Sequence, residues 1–207
     1  MKRIDMEQWP RRGHYNFFAP MSDPFYTLSF PVDVTALRTY CKAEGLSFYH
    51  ALVYGVTKAM EAVEAFHYKD RQGEIIYHEQ LVPSFTHLEP GGELFRIITL
   101  DAGDDLADFC RRAKAQAAAQ TDFITQGPWD GDALVYFTCL PWFPLTSLTN
   151  EKDLKPWDSV PRAAWGRWEE QEDRTMLNLS LELNHRLLDG VHVGRFYQRL
   201  CQWMEEL

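Results

Sequence analysis

Residues 179–195, LSLELNHRLLDGVHVGR, form the stretch that decides the fold. Its first half alternates apolar and polar residues, which is the pattern of a β-strand with one buried face. Asp189 and Gly190 supply a turn, and beyond them the apolar residues recur at helical spacing. The sequence therefore predicts a strand that ends at His185, then a tight turn, and then a closing amphipathic helix over residues 191–207.

The rest of the chain shows further helix and strand patterns. Asp33 and Ser47 are typical N-cap residues that each precede a helical stretch, and Gly45 ends the first of these helices. Asp104 and Asp105 begin a third helix, which continues to about residue 120 through an alanine-rich run. Strand patterns occupy residues 26–32, 66–70, 74–78, 81–88, 94–100, 133–140, 162–168 and 176–183. Residues 122–132 and 141–150 have the Gly and Pro content of loops.

This order of elements predicts an α+β fold with two layers, in which helices pack on a sheet. Short connections favour antiparallel pairing between strands that are neighbours in sequence, so we expect a mixed, largely antiparallel sheet. No Pro- or Gly-rich linker interrupts the 207 residues, which favours a single domain over residues 1–207.

Composition and charge exclude several classes of function. A net charge of −9 leaves no broad basic surface for nucleic acid. The longest apolar run, residues 133–145, is too short to span a membrane. Near the N-terminus, charged residues interrupt the apolar stretch that a secretory signal needs. The four cysteines are widely spaced without a CxxC pair, which favours reduced thiols over disulfides or a zinc ribbon. We therefore expect a soluble, cytoplasmic protein.

The pattern HxxxDG, formed by His185, Asp189 and Gly190, carries the strongest chemical signal. A chain of this composition would contain roughly 0.03 such matches by chance. An imidazole can accept and return a proton near neutral pH, and a strand end holds it rigidly. The same histidine could instead be a core residue bonded to a backbone carbonyl, so the pattern alone leaves both interpretations open.

Four segments in order make the chain similar to a known family. HxxxDG after a strand and before VHVGRF resembles the active-site signature of the chloramphenicol acetyltransferase family, within the wider group of CoA-dependent acyltransferases. Residues 9–18, WPRRGHYNFF, resemble the family's Trp-x-Arg opening. Residues 141–148, PWFPLTSL, resemble its Pro-Trp-x-x-x-x-Ser segment, and residues 48–60 resemble its first long helix. The resemblance covers nearly the whole chain.

The resemblance implies a direct acetyl transfer from acetyl-CoA, the co-substrate, to a hydroxyl acceptor such as chloramphenicol. His185 would be the general base. Asp189 would pair with Arg11 and hold the turn that positions the imidazole, and the hydroxyl of Ser147 would support the tetrahedral intermediate. The family further implies a homotrimer, in which the histidine comes from one subunit and much of the acceptor pocket from its neighbour.

The acceptor pocket is implied by the same resemblance. Phe17 and Phe18 stand where the family places two pocket aromatics, one of which is often a tyrosine, and Thr86 occupies a further pocket position. Core packing is the alternative role for the two phenylalanines. Asn184 stands where a second histidine is frequent, Ala164 replaces a threonine, and residues 89–93 differ from the family's loop. These departures weaken the assignment of chloramphenicol as the acceptor more than they weaken the reaction class.

Four other functions compete with this interpretation. A metal site of His185, Asp189 and His192 would need a continuous helix, which Gly190 opposes, and a further ligand, so we predict no metal. The lipoyl-dependent acyltransferases of keto-acid dehydrogenase complexes share HxxxDG, but this chain has no Ala/Pro-rich linker for lipoyl modules. A ligand-binding relative without activity, or an acyltransferase for an unrelated hydroxyl compound, stays possible on the sequence alone.

Overall fold

A computed structural model describes residues 1–125, 127–152 and 157–207. The helices are α1 (Arg12–Phe18), α2 (Thr35–Glu44), α3 (Phe48–Glu61), α4 (Leu106–Ala119) and α5 (Gly190–Glu205), with 3₁₀ turns at Glu64–His67 and Gly131–Ala133. The strands are β1 (Lys2–Arg3), β2 (Phe25–Asp33), β3 (Tyr68–Arg71), β4 (Glu74–Tyr77), β5 (Val82–Leu88), β6 (Phe95–Thr99), β7 (Leu134–Leu140), β8 (Arg162–Gly166), β9 (Glu169–Gln171) and β10 (Arg174–Asn184).

The main sheet has the strand order β2-β10-β8-β7-β5-β6, and β9 adds to one end of β10. β10 pairs antiparallel with β2 and β8, whereas β7 pairs parallel with β5 and β8. The prediction of a mixed, largely antiparallel sheet is therefore confirmed. The expectation that sequence neighbours pair is wrong for β2, whose partner β10 lies at the other end of the chain. The two strands pair over nine residues, and the entropic cost of joining distant segments grows only slowly with their separation in sequence.

The two faces of the sheet have different chemistry. Phe85, Phe137, Ala163 and Leu181 form one row across β5, β7, β8 and β10, and all four are buried in the hydrophobic core. Helix α3 lies in this core and contacts α2, α4 and α5, so ten of its residues are buried. The next row contains Thr138, Ala164 and Ser180 and belongs to the opposite, more polar face.

The sequence predicted the ends of several helices well because their caps are local. Ser47 Oγ accepts the His50 N–H, and Asp105 caps α4 in the same way. Helix α2 begins at Thr35 rather than directly after Asp33, but Asp33 Oδ1 still accepts the Thr35 N–H at 3.0 Å. Gly45 ends α2 with φ of 67°, a conformation that favours glycine.

Helix α1 and strand β1 were not predicted, and α1 matters for function. It has seven residues, and no side chain caps its N-terminus. β1, β4 and β3 form a separate small sheet. β1 has only two residues, too few for an alternating pattern.

Residues 141–150 form an irregular segment, as predicted, that crosses the polar face of the sheet. The Arg167 N–H donates to the Phe143 carbonyl at 2.8 Å, and the Leu148 N–H donates to Ser180 Oγ at 3.2 Å. A Cβ on Gly166 would come within 2.4 Å of the Leu145 nitrogen, so only glycine allows this approach. Backbone and side-chain contacts therefore hold the segment against β8 and β10.

His50, buried in α3, makes stability depend on pH. Burial, with a smaller contribution from nearby His87, lowers the pKa of His50 to about 4. Because the unfolded ring titrates near 6.5, stability is full above that pH and is lost as the pH falls towards 4. We expect the free energy of unfolding to be about 2 kcal/mol lower at pH 5 than at pH 7 from this group.

The measurement is urea unfolding of the wild type and of a His50→Phe variant at both pH values, at one protein concentration. The free energy of unfolding of His50→Phe should fall less between pH 7 and pH 5 than that of the wild type. Equal pH dependence in both proteins would show that His50 is not the group responsible.

Candidate active site

His185 follows the last residue of β10, and its backbone is fixed on both sides. Its N–H donates to the Pro24 carbonyl at 2.8 Å, which continues the pairing of β10 with β2. Its carbonyl accepts Nη2 of Arg11 at 2.9 Å. The ring stacks on Phe18 with centroids 4.3 Å apart and an interplanar angle of 9°, and Tyr26 packs against it at 4.4 Å. These contacts leave the imidazole little freedom to turn.

The two nitrogens of the His185 ring have different surroundings. Nδ1 is buried and lies 3.0 Å from Asp189 Oδ1, but the two groups are not aligned as a hydrogen bond. About a third of the side chain, 35%, is exposed. Because Nδ1 is covered, Nε2 is the nitrogen that can meet a substrate.

Arg11 binds the turn after His185 at four points. Nε donates to the Arg186 carbonyl at 2.9 Å, and Nη2 donates to the His185 carbonyl and, at 2.7 Å, to Asp189 Oδ1. Nη1 donates to Asp189 Oδ2. The guanidinium therefore grips both the carboxylate and the backbone of the turn, and its bonds hold the pKa of Asp189 below the usual range. The carboxylate stays ionised across the neutral range.

Asp189 also begins helix α5, in a way that decides the role of His192. Nδ1 of His192 accepts the Asp189 N–H at 2.9 Å, which completes a capping box. Burial, together with Arg11, lowers the pKa of His192 and keeps Nδ1 free to accept. A metal shared by His185, Asp189 and His192 does not fit this geometry, because Arg11 occupies both Asp189 oxygens and Nδ1 of His192 is already bonded.

Phe18 and Phe17 lie at the end of α1, directly after the segment that carries Arg11. Phe18 is half-buried against His185, whereas Phe17 is 66% exposed and contacts Phe18 edge-on at 5.0 Å. Tyr26, whose hydroxyl donates to the Leu188 carbonyl at 3.2 Å, is a site residue that the sequence reasoning missed. It lies opposite Leu183 in the β2–β10 register, which the sequence does not indicate.

Ser147 and Thr86 lie elsewhere in the chain. The residue after Ser147, Leu148, is bonded to Ser180, and five strand residues from Ser180 to His185 span about 16 Å. Thr86 is one residue beyond Phe85, in line with the Thr138 row of the polar face. The structure thus brings His185, Arg11, Asp189 and the two phenylalanines together at one end of β10, and keeps Ser147 and Thr86 apart from them.

The residues that depart from the family pattern have clear local contacts. Asn184 is buried; its Nδ2 donates to the Asp158 carbonyl at 2.7 Å, and its Oδ1 accepts the Arg186 N–H at 2.9 Å. It therefore shapes the backbone beside His185. Ala164 is buried in the middle of β8, opposite Ser180.

A second group of possible metal ligands lies in the small sheet region, at His78, Asp130 and Asp132. Arg71 donates to both oxygens of Asp132 and pairs with Asp130 at 3.1 Å. Arg71 pairs with both carboxylates, and His78 Nε2 lies 3.0 Å from Asp132 Oδ1, so these side chains form an ion-pair network. Within the described part of the chain, no helix has the length and apolarity needed to cross a bilayer.

Comparisons with known proteins show the family of the chain. The sequence matches the family described as chloramphenicol acetyltransferase over residues 1–201. The chain belongs to this family. It is 27% identical over 205 residues to chloramphenicol acetyltransferase 2 of Escherichia coli, covering 96% of this chain and 94% of that protein. As a member of the chloramphenicol acetyltransferase family it is an acyltransferase, as the resemblance in the sequence predicted.

Solved structures confirm the α+β fold of the family. A chloramphenicol acetyltransferase structure matches with a TM-score of 0.87 and 21% identity, over 98% of this chain and all of the other. The cubic core of the pyruvate dehydrogenase multienzyme complex matches with a TM-score of 0.66 and 19% identity, over 99% and 91%. The second likeness concerns the fold alone. The family match over residues 1–201 does not favour the lipoyl-dependent enzymes that the sequence left as an alternative.

Proposed function

We propose that this protein transfers the acetyl group of acetyl-CoA to a hydroxyl of chloramphenicol or a related compound, with His185 as the general base. The observation that carries the proposal is the His185 ring, one-third exposed, with its backbone bound on both sides and Nδ1 turned to Asp189. Membership in the chloramphenicol acetyltransferase family supports the choice of acetyl-CoA and chloramphenicol as substrates.

In the proposed reaction, Nε2 of His185 removes the proton of the acceptor hydroxyl. The oxygen attacks the thioester carbonyl, and the carbonyl electrons move onto its oxygen to form a tetrahedral intermediate. When the intermediate collapses, the C–S bond breaks and the CoA thiolate takes the proton back from the imidazolium. No acetyl group is attached to the protein, so the four free cysteines have no part in the transfer.

In this scheme Asp189 and Arg11 hold the imidazole of His185 in position. The carboxylate stabilises the imidazolium that forms, and its two bonds to Arg11 keep it from swinging away from Nδ1. Because Arg11 also binds the carbonyls of His185 and Arg186, the pair fixes the turn as a whole. A buried ion pair adds little to stability but holds a defined arrangement.

We further propose that the functional unit is a homotrimer in which Ser147 and Thr86 reach His185 of a neighbouring chain. Two facts support this. The separation of about 16 Å along β10 is too long for a serine hydroxyl to touch an intermediate at His185. The chain also exposes large apolar side chains on its loops and edge strand, a feature of protein interfaces: Leu94, Phe95, Phe123, Trp142 and Phe143.

The active unit is further proposed to be one domain in the cytoplasm. A continuous hydrophobic core that runs from Trp9 to Met204 supports the single domain. The four free thiols fit a reducing compartment.

The test is release of CoA thiol from acetyl-CoA with chloramphenicol as acceptor, followed by the mass of the product. We expect thiol release at a rate that saturates with chloramphenicol, and a product heavier by one acetyl group. Fully acetylated chloramphenicol serves as the control acceptor and should release no thiol. Thiol release without acetylated product would contradict the proposal, since it would mean hydrolysis.

A related acceptor is the second candidate, because Phe18 lacks the hydroxyl that a tyrosine would offer beside His185. A panel of aromatic and aliphatic alcohols in the same assay separates the two. A kcat/KM for another alcohol that is tenfold above that for chloramphenicol would assign the acceptor to that compound and leave the mechanism unchanged.

A further inference from the structure

Asp70 lies outside the family signature yet accepts donors from three separate parts of the chain. Oδ2 accepts Nη1 of Arg186 at 2.6 Å and the Tyr15 hydroxyl at 3.0 Å, and Oδ1 accepts the Gly73 N–H at 2.8 Å. The side chains of Asp70 and Arg186 are 1% and 2% exposed. Asp70 itself is held by Ser159, whose hydroxyl accepts the Asp70 N–H at 3.0 Å.

We propose that Asp70 and Arg186 form a buried positioning pair for His185, an inference that rests on the proposed function. Arg186 is the residue directly after the base. Its side chain is tied to the small sheet through Asp70, while its carbonyl is tied to Arg11 and its N–H to Asn184. The backbone next to His185 is therefore anchored by a second carboxylate besides Asp189.

Tyr15 extends the same anchor to helix α1. The helix presents Phe18 to the His185 ring and directly follows Arg11. Burial and the neighbouring Asp70 carboxylate raise the pKa of Tyr15 to about 12, so its hydroxyl remains a donor. One carboxylate thus joins two of the elements that surround the base, namely α1 and the β10–α5 turn.

The Asp70–Arg186 pair adds little to the stability of the fold, which favours a role in positioning His185. Nε and Nη2 of Arg186 are buried without hydrogen-bond partners among the described residues. A buried arginine with unpaired donors is costly, and an apolar residue of similar length would pack at lower cost. The charged pair instead fixes the distance between β3 and the turn that follows His185.

The decisive variant is Arg186→Met. We expect kcat to fall about tenfold while KM for acetyl-CoA changes less than twofold, because small displacements of a base are costly and the binding surface is untouched. Arg186→Lys keeps the charge and should recover part of kcat. The matched control is Lys69→Met, which removes an equally buried basic side chain one residue from Asp70 that has no hydrogen-bond partner among the described residues; its kcat should equal that of the wild type.

An independent readout is the ring signal of His185 in protein labelled with ¹³C at histidine Cε1, assigned with His185→Ala. In Arg186→Met the signal should broaden or split, and in Lys69→Met it should stay as in the wild type. This measurement needs no turnover, so it tests the positioning role even if acetyl transfer is not observed. An unchanged kcat together with an unchanged ring signal would overturn the proposal.

Two further variants cover the case in which Arg186→Met does not fold. Asp70→Asn combined with Arg186→Met leaves no buried charge uncompensated, and Tyr15→Phe removes a single donor from an otherwise intact core. Both should lower kcat with KM preserved and disturb the His185 signal, Tyr15→Phe about threefold in kcat. A folded double variant with wild-type kcat would show that the pair has no positioning role.

Discussion

Replacing His185 by alanine is expected to lower kcat about 1,000-fold and to leave the fold intact. General base catalysis contributes roughly 10²- to 10⁴-fold, and the His185 ring, 35% exposed, lies at the end of β10 with Nδ1 covered beside Asp189. Because the ring is one-third exposed, its removal opens little space in the core. The measurement is steady-state CoA release, with circular dichroism to confirm folding.

The matched control is His14→Ala, which removes an exposed histidine of α1 that does not touch His185. It should retain wild-type kcat. Added imidazole should restore part of the activity of His185→Ala, since the vacated space lies beside Phe18 and Tyr26 and can admit a free ring. A His185→Ala protein with more than a tenth of wild-type kcat would exclude His185 as the base.

The strand, turn and helix around His185 could be predicted because their determinants are local. Alternation along β10 reflects an apolar face in the hydrophobic core and a polar face that is itself buried at Ser180, Glu182 and Asn184. Asp189 and Gly190 break the strand wherever it lies in the molecule. The three helices with recognisable caps or apolar spacing were predicted for the same reason. Their boundaries moved by a residue or two, as with Thr35 at the start of α2.

Strand order could not be predicted in the same way. β2 and β10 are about 150 residues apart in the chain. The sequence of neither strand indicates which strand it pairs with. The pairing depends on which apolar rows the helices cover, and that is a property of the whole core. α1 was missed because seven residues give fewer than two periods of a helical pattern.

The candidate site also contains features that the sequence predicts and features that only the structure shows. Arg11 and Asp189 are 178 residues apart, and their contact was expected only from the resemblance to a family. The contact is present, whereas the function of the pair stays a prediction. Asp70, Tyr15 and Tyr26 carry no motif, since a buried aspartate in a short hairpin strand and two tyrosines look ordinary in a sequence. Only the fold shows that they lie against the turn that holds His185.

Ser147→Ala is expected to lower kcat about 100-fold, the loss that follows removal of one donor to an oxyanion. KM for either substrate should change little, because the hydroxyl acts on charge that develops during attack. The matched control is Thr146→Ala, which removes an exposed hydroxyl from the neighbouring residue. If Ser147→Ala retained wild-type kcat while binding chloramphenicol normally, Ser147 would have no part in the transfer.

Mixing two inactive chains can then show whether the site is shared. In an assembly of Ser147→Ala and His185→Ala chains, a shared site is intact wherever the first chain supplies His185 and the second supplies Ser147. For equal, random mixing this holds for about a quarter of the sites, so co-expressed chains should recover about a quarter of wild-type activity. Chains that carry both residues of their own site would recover none, because every site would still lack one of the two groups.

The reverse mixture tests the shared site in a second way, and different affinity tags on the two chains confirm that mixed assemblies form in both mixtures. When wild-type chains are mixed equally with chains that carry both substitutions, a shared site is intact only between two wild-type neighbours, again about a quarter of the sites. A site within one chain would instead keep about half of the activity. Light scattering on the same samples gives the number of chains. Recovery near zero in the first mixture and near half in the second would place Ser147 and His185 in one chain and contradict the shared site, because the 16 Å separation along β10 would then have to close within a single molecule.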